Sequence, residues 1–598
     1  MKWKSLIPLI PVAAILAAVS FSNGCANTST PPSGGPKDTI PPYIVDINPL
    51  PMTVNVPVHK TQVAFTFNEY VQVKNPQAIY LSPPLQRAPK FKIRGKSVIV
   101  YFESDLAENT TYCLDLTGAI VDNNENNPFP GYSLVFSTGP EIDTMMVTGV
   151  VQDCNTLMPL KDVTVMLYKD AADSAVFLHR PDAAVKTDDW GFFCLRNIQD
   201  TVFRVYAVKD ANNDNLYQMD NERIAFLDSA FRPTTVVRDS LPELLKYDMK
   251  DTALCLARKT ELELFLFREK PSKQFIVKKE RVGDRAAYIT FMAPNAQING
   301  MRFKGLPKEK LISQFNPEKD SLELWVNDQR KMPDTLQLLI NYMKTDTTGV
   351  LAAADETVAL AFDKKARAAA AKSSRRDIKH EDTLCVFTAE APAETVEQYG
   401  FTIEFKYPLI RDGFDQLRFR SINPRQKESI DTYTVIPDST NLRRFSVMPG
   451  EKLLPGWEYY LIIPHRVFRD INGFWNDSTE VKVVLPSDEK LSTLQLDLKG
   501  VSNKYIVDLL NEKRDKVIRT FIIDRDAVLT FPYLKAGKYS IRITEDVNRN
   551  GLVDTGDLLQ KRQPEKVRFY KLKGSDRIDI PERTEMVQEI NLKQLFER

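Results

Sequence analysis

Short runs in which every second residue is apolar, each bounded by Pro, Asn, Asp or Gly, recur from Tyr43 onward, and this period of two constrains the fold more than any other feature. Val63-Ala64-Phe65-Thr66-Phe67 and Ser97-Val98-Ile99-Val100-Tyr101-Phe102 are examples. A strand of this kind has one apolar face and must bury it against a second sheet. Long amphipathic helices are scarce. The expected fold class is therefore all-β: a multi-domain array of antiparallel β-sandwiches. With 598 residues the chain is too long for a single core, and about four or five domains of ordinary size are expected.

Charge narrows the partners. The chain has 80 Lys and Arg against 79 Asp and Glu, a net of +1. Nucleic-acid binding needs a concentrated basic face to displace counterions from phosphate, so no nucleic-acid partner is expected. The N-terminus places Lys2 and Lys4 before an apolar run from Leu6 to Val19, then Ser22-Asn23-Gly24-Cys25. The run is too short for a bilayer span and is interrupted by Pro8 and Pro11, which predicts a signal peptide over 1–24. The Gly24-Cys25 pair resembles the lipobox of bacterial lipoproteins, with Ser22 where Leu is usual. That resemblance implies lipidation of Cys25 and contact with a membrane through the lipid. Ala26, in place of the Asp that favours inner-membrane retention, points to the outer membrane, with either face open. Residues 25–42 are rich in Pro, Gly, Ser and Thr and read as a flexible tether.

Five blocks follow. Residues 43–140 contain P-P-Y-I-V-D-I-N-P, V-A-F-T-F-N-E-Y-V and L-A-E-N-T-T-Y-C-L-D-L, then an Asp-Asn turn from Asp122. They resemble the bacterial Ig-like domain of S-layer and other surface proteins. Residues 145–250, with P-L-K-D-V-T-V-M-L-Y, T-D-D-W-G-F-F-C-L and F-R-V-Y-A-V-K-D-A-N-N-D, resemble the transthyretin-like fold of collagen-adhesin B-type repeats, which implies a spacer or binding module. A β-rich block over 255–362, opening with E-L-E-L-F-L-F, resembles no family. A charged, Ala-rich linker covers 363–384. Residues 385–487 echo the first block through F-T-I-E-F and L-L-P-G-W-E-Y-Y-L. Residues 490–598 echo the second through Y-S-I-R-I-T-E-D-V-N-R-N-G. The tether also looks like those of Bacteroidetes lipoproteins. Such a plan predicts a rod or bent array of modules.

The strongest candidate for chemistry is the run from Asp546 to Asp557. Asp546, Asn548 and Asn550 stand at positions 1, 3 and 5 of a calcium loop, Gly551 at the sharp turn, and the Leu552 carbonyl at 7. Asp554 and Asp557 stand at 9 and 12, and hard oxygens so spaced can converge on Ca²⁺. With Asp557 in place of a bidentate Glu, affinity would fall in the range of extracellular modules, roughly 10⁻⁴ to 10⁻³ M. The same residues suit an Asx-rich turn. Asp210, Asn212 and Asp214 form a poorer copy, with Asn215 where Gly is wanted and Asp220 or Glu222 further on.

No cofactor is required, and no catalytic residue is assigned. The cysteines after Cys25 have no C-x-x-C spacing, and Cys154 with Cys194 or Cys255 with Cys385 are conceivable disulfides beside the alternative of buried thiols. The four histidines are scattered. Trp190, Trp457 and Trp475 are candidates for stacking on sugars. The function expected is a non-enzymatic cell-envelope lipoprotein with a binding or structural role, its partner an envelope protein or a glycan. The alternative is a hydrolase or carbohydrate-binding protein with its site in the middle block.

Overall fold

The computed structural model describes residues 37–236, 261–361, 384–487 and 491–597. The signal segment, Cys25, the tether to residue 36, Cys255 and the charged linker as far as residue 383 lie outside the described residues. The described chain divides into two compact units, one formed by 37–146, 195–200 and 234–236, the other by 147–194, 201–233 and the described residues from 261 on.

The first block holds nine strands: β1 (Ile44–Asn48), β2 (Gln62–Phe67), β3 (Val71–Val73), β4 (Tyr80–Ser82), β5 (Lys90–Arg94), β6 (Ser97–Tyr101), β7 (Thr111–Asp115), β8 (Ile120–Asp122) and β9 (Ser133–Ser137). Their antiparallel sheets run β1-β2-β6-β5 and β4-β7-β9, and β3 pairs β8. Alternation along β2, β6, β7 and β9 sends Phe65, Phe67, Val98, Val100, Leu114, Leu134 and Phe136 into one core.

The second block comprises β10 (Met145–Asp153), β11 (Thr164–Tyr168), β12 (Ala183–Lys186), β13 (Phe192–Ile198), β14 (Arg204–Val208), β15 (Ile224–Phe226), β16 (Thr235–Val236) and β17 (Leu262–Leu266). One sheet runs β12-β11-β14-β15, and in the other β17 lies parallel to β10. The run Leu262–Leu266 reads in the sequence as the opening strand of the unmatched block. It completes the sheet of the preceding module instead, because its partner is Gly149–Asp153, more than a hundred residues earlier.

The unmatched block then consists of β18 (Ile276–Arg281), β19 (Ala286–Phe291), β20 (Ile298–Phe303), β21 (Leu311–Phe315), β22 (Ser321–Val326), β23 (Thr335–Thr345) and β24 (Leu351–Ala361). Its sheets run β18-β19-β22-β21 and β20-β23-β24, the order of the first block without the small β3-β8 pair. It is a further sandwich of the same topology.

The next block supplies β25 (Phe387–Glu390), β26 (Phe401–Phe405), β27 (Leu409–Arg411), β28 (Arg418–Ile422), β29 (Glu428–Asp431), β30 (Tyr433–Pro437), β31 (Arg444–Pro449), β32 (Glu458–Ile463), β33 (Arg469–Asp470) and β34 (Thr479–Val484). With β29 as an addition, β25-β26-β31-β30, β28-β32-β34 and β27-β33 reproduce the first block strand for strand.

The last block has β35 (Ser492–Lys499), β36 (Lys504–Asn511), β37 (Val517–Ile523), β38 (Ala527–Leu534), β39 (Gly537–Asp546), β40 (Val567–Phe569), β41 (Ile578–Ile580) and β42 (Glu585–Asn591). Its β37-β36-β39-β40 sheet matches β12-β11-β14-β15, and β42 lies parallel to β35 as β17 does to β10.

Two local devices explain why blocks one and four echo each other in sequence. In the Leu-x5-Tyr stretch, Leu106 and Leu453 are buried, and the Tyr112 and Tyr459 hydroxyls accept the backbone N–H of Ala107 and Leu454, each at 2.7 Å. The bond pins the loop before β7 or β32 over the end of the core. The turn after β8 or β33 is organised by a buried carboxylate. Asp122 accepts the N–H groups of Asn124, Glu125, Asn126 and Asn127, and Asp470 those of Asn472 and Phe474.

Within the second unit the sandwiches of blocks two to five form a closed circuit, the bent form of the expected rod or bent array carried through to contact between its ends. The second and third blocks are joined through β17. The third meets the fourth through Arg443 paired with Glu323 at 2.7 Å and a small cluster of Ala286, Trp325 and Ile471. The fourth meets the fifth through Arg519 Nε to Gln398 Oε1 at 2.6 Å and the Tyr533 hydroxyl to Glu397 Oε1 at 3.1 Å. The fifth returns to the second through contacts described below.

Replacing Tyr112 or Tyr459 by Phe leaves a part-buried loop N–H without its acceptor. Each change is expected to lower the stability of its module by about 1–2 kcal/mol in urea unfolding, whereas Tyr70→Phe at an exposed site stays within about 0.5 kcal/mol.

Candidate functional site

The two Asp/Asn loops leave equivalent strands, β14 and β39, and share three backbone-to-side-chain bonds, with the bond to the first Asp Oδ1 made only in the second copy. Asp546 is fully buried, its Oδ1 accepting Asn550 N–H and its Oδ2 Gly551 N–H at 3.0 and 2.7 Å. Asp210 Oδ2 accepts Asn215 N–H at 2.9 Å. Asn548 Oδ1 takes Asn550 N–H, as Asn212 takes Asp214 N–H. Asn550 takes Leu552 N–H, as Asp214 takes Leu216 N–H. Gly551 has φ +79° and Asn215 +59°, so Asn tolerates in one copy the left-handed backbone that Gly supplies in the other.

Sequence spacing misplaces the end of the loop. Asp557 Oδ1 accepts Gln560 N–H at 2.9 Å and belongs to a separate turn. A carboxylate that spacing did not single out, Glu565, closes the loop by accepting Val547 and Asp554 N–H, both at 3.0 Å. Glu222 does the same for Ala211 and Gln218 N–H. Burial pushes both Glu222 and Glu565 above the ordinary carboxylate range, against the N–H bonds that pull them down and with the neighbouring loop aspartates adding to the rise. The only sign of this pairing in the sequence is an acidic residue after each loop, at different spacings.

The donor set is rich in hard oxygens but shared. Asn548 and Asn550 direct their Nδ2 groups to Asp554 Oδ2, and Lys270 and Lys504 lie 3.6 and 3.9 Å from Asp554 and Asp546. In the first copy, Asp210 Oδ1 is buried without a hydrogen-bond partner. Among the described residues no group of three or more His, Cys, Asp and Glu is placed to hold a metal, so any cation there would draw on the Asn and backbone oxygens as well.

The loops lie where the fifth block meets the second. The extension of β17 is wedged between them: the Ile224 and Phe267 backbones form a bridge, and Arg268 donates to Asn221 O at 2.9 Å. On its other side Thr555 Oγ1 donates to Arg268 O at 2.6 Å, and a Cβ added at Gly556 would meet the Phe267 ring at 2.6 Å. Glu269, almost wholly buried, joins the two modules by accepting the Tyr217 hydroxyl at 2.6 Å and Leu558 N–H. Burial, then the bond to Glu269, raises the Tyr217 phenol far above its usual range. Gln563 reaches Phe226 O and Asp228, and Lys561 pairs with Asp173. A second patch seats Arg514 on Thr156 O at 3.1 Å, beside Asp576 and over the Phe569 ring.

Cys154 and Cys385 are buried thiols, and the Cys154–Cys194 pairing is not formed, while the partner considered for Cys385, Cys255, lies outside the described residues; burial pushes Cys154 and Cys385 up to about 11 and about 12. Trp190 projects into solvent from the β12-β13 turn, Trp475 lies between the Arg411 and Arg469 guanidiniums, and Trp457 stacks on Tyr459. A small open pocket of about 110 Å³ lies between the third and fourth blocks, lined in part by Tyr288, Glu323, Trp325 and Tyr407.

Comparison with known proteins places one module. Residues 38–138 match the family described as bacterial Ig-like domain. No curated protein matches the chain. Among solved structures, the N-terminal part of the bacterial S-layer protein SbsC is 11% identical over 30% of this chain, with a TM-score of 0.14; the chain covers 42% of its length. BcpA, the major pilin subunit of Bacillus cereus, is 11% identical over 75% of this chain and 99% of its own, with a TM-score of 0.13. The SGBP-B of a Bacteroides ovatus mixed-linkage glucan utilization locus, solved with a heptasaccharide, is 9% identical over 66% of this chain and 88% of its own, with a TM-score of 0.17.

Glu269→Ala is expected to strand the Tyr217 hydroxyl and Leu558 N–H at the junction, at a cost of about 3 kcal/mol. Amide exchange over residues 554–563 should accelerate roughly a hundredfold while the β36-β39 amides keep their protection.

Proposed function

We propose that this chain is a non-enzymatic cell-envelope lipoprotein, anchored in the outer membrane through acyl chains on Cys25, whose modules offer a structural or binding surface to an envelope protein or glycan. The observation that carries this reading is the closed circuit of four sandwiches that follows a bacterial Ig-like domain. Each sandwich is sealed by its own core, so recognition falls to loops and outer faces. The apolar run, Gly24-Cys25 and the Pro-rich tether support the anchor. No helix among the described residues is long and apolar enough to cross a membrane. The aromatic pocket of Tyr288 and Tyr407 with the Glu323 carboxylate, in the middle of the chain, favours a glycan as the second reading of the partner.

The anchor is tested by expressing the full chain and Cys25→Ser in a Gram-negative host. The wild type is expected in the detergent phase, with a mature mass that starts at Cys25 and includes acyl groups. Cys25→Ser should move to the aqueous phase, and an unmodified Cys25 would overturn the anchor.

The reading includes weak calcium binding by the loop of Asp546, Asn548, Asn550, Leu552 and Asp554, closed by Glu565, and by its copy at Asp210, Asn212 and Asp214. Calorimetry should then give a dissociation constant of roughly 10⁻⁴ to 10⁻³ M, and Asp546→Ala should abolish binding by its own loop. No heat at millimolar calcium would leave the loops as Asx turns that hold the junction.

A further inference from the structure

We infer that one end of the first Ig-like sandwich is a membrane-contact surface that rests on the lipid headgroups beside the anchor. This rests on the lipoprotein reading and goes beyond it by assigning an orientation. The end in question is defined by the β1-β2 register. Ile44 pairs with Phe67 and Thr66 with Ser97, so Tyr43, Asn68 to Tyr70 and Lys96 all emerge at the end where the tether arrives.

The arrival is fixed by hydrogen bonds. Asn127 Nδ2 donates to Asp38 O at 3.0 Å, and Tyr43 N–H to Asn68 Oδ1 at 2.8 Å. At this end large apolar side chains face solvent: Ile40 is 65% exposed, Tyr43 55%, Val45 50% and Tyr70 62%. Lys96 donates to Asn68 O at 2.7 Å with its ammonium 5.8 Å from the Tyr70 ring. Tyrosines with an apolar body and a polar tip, beside a lysine whose stem is apolar and whose head seeks water, are the side chains that suit the headgroup layer.

Reach selects the occupant. The 12 residues from Ala26 to Lys37 span at most about 40 Å fully extended, and a Pro- and Gly-containing segment usually spans less. Acyl chains on Cys25 therefore keep this end close to a bilayer at high effective concentration, so even a weak surface is used. Leu50 is as exposed as Tyr70 but lies past the opposite end of β1, and it provides an internal control.

The test uses the full-length lipidated protein in vesicles of phosphatidylethanolamine and phosphatidylglycerol, with an environment-sensitive fluorophore on Tyr70→Cys or on Leu50→Cys. Lipid on Cys25 is first verified by mass. The probe at 70 should shift to the blue and be quenched by headgroup-level nitroxide lipid, while the probe at 50 stays water-like. Tyr43→Ser with Ile40→Ser should reduce the quenching at 70 about tenfold. If Cys25 is lipidated and the probe at 70 remains water-like, or both probes are shielded alike, the contact surface is wrong and the anchor stands. If Cys25 has no lipid, the anchor fails and the contact surface falls with it.

Discussion

A sandwich two sheets thick can bury only every second side chain of each strand between its own sheets, and strands buried on both faces, such as β11 and β36, need a second cover from a loop or a neighbouring module. The inward set is used up on cores such as Phe65, Phe67, Val98 and Phe136, or Phe401, Ile403 and Phe405. The outward set faces water or a neighbouring module. Polar groups that must be buried therefore gather where strands end and backbone N–H groups lose their ladder partners. Asp122, Asp470, Asp546, Asn476 and the Tyr112 and Tyr459 hydroxyls all serve such ends. Apparent chemistry in the loops is thus first an answer to backbone desolvation, and any ligand role is added to that.

What could be read from the sequence follows the same division. The period of two gives the strands, and the Leu-x5-Tyr and Asp-turn devices are local, so they leave words in the sequence that recur in blocks one and four. The third block has the same sheet order but lacks the Asp turn, and although Leu336 and Tyr342 keep the Leu-x5-Tyr spacing, both lie inside β23, so no loop stands before the strand for the tyrosine to cap. Its Tyr342, on the strand equivalent to β7, donates its hydroxyl to Glu356 at 3.0 Å instead of capping a loop, and it has no counterpart of the β3-β8 turn. Its kinship lies in which strands pair, and pairing between distant segments has no signature in a single run of residues. The first copy of the Asp/Asn loop was legible through Asp210, Asn212 and Asp214. The closing Glu565 was not, because the chain travels a further turn before returning.

Contacts between modules were the least legible. Glu269, Gln563 and Arg514 each join segments some 290 to 360 residues apart, and each is an ordinary polar residue in its own strand or loop. No periodicity marks a single long-range hydrogen bond. A reading built on periodicity sees modules in succession and leaves their ends free, so it predicts a rod or bent array without the closing contact.

The circuit nevertheless has a physical cause in the strand order. Because β17 lies parallel to β10 inside the second module, the chain leaves that module directly into the third block, and Phe267 to Glu269 stay pressed to its edge. The last module must then be brought back across about 290 residues. Were those residues a flexible chain, closure would cost only a term logarithmic in length. They are folded sandwiches with their own docked faces at Glu323 and Gln398, so less freedom still is lost in the final step. A junction of modest area can therefore hold, and two buried features suffice to set its register: the Glu269 carboxylate shared between modules, and the Phe267 ring against Gly556, where any side chain would collide. The same economy explains why the loops at the junction retain Asx geometry in both copies. Their own hydrogen bonds keep them rigid, and only rigid loops can present Leu558 and Gln563 to a partner module without further entropic cost.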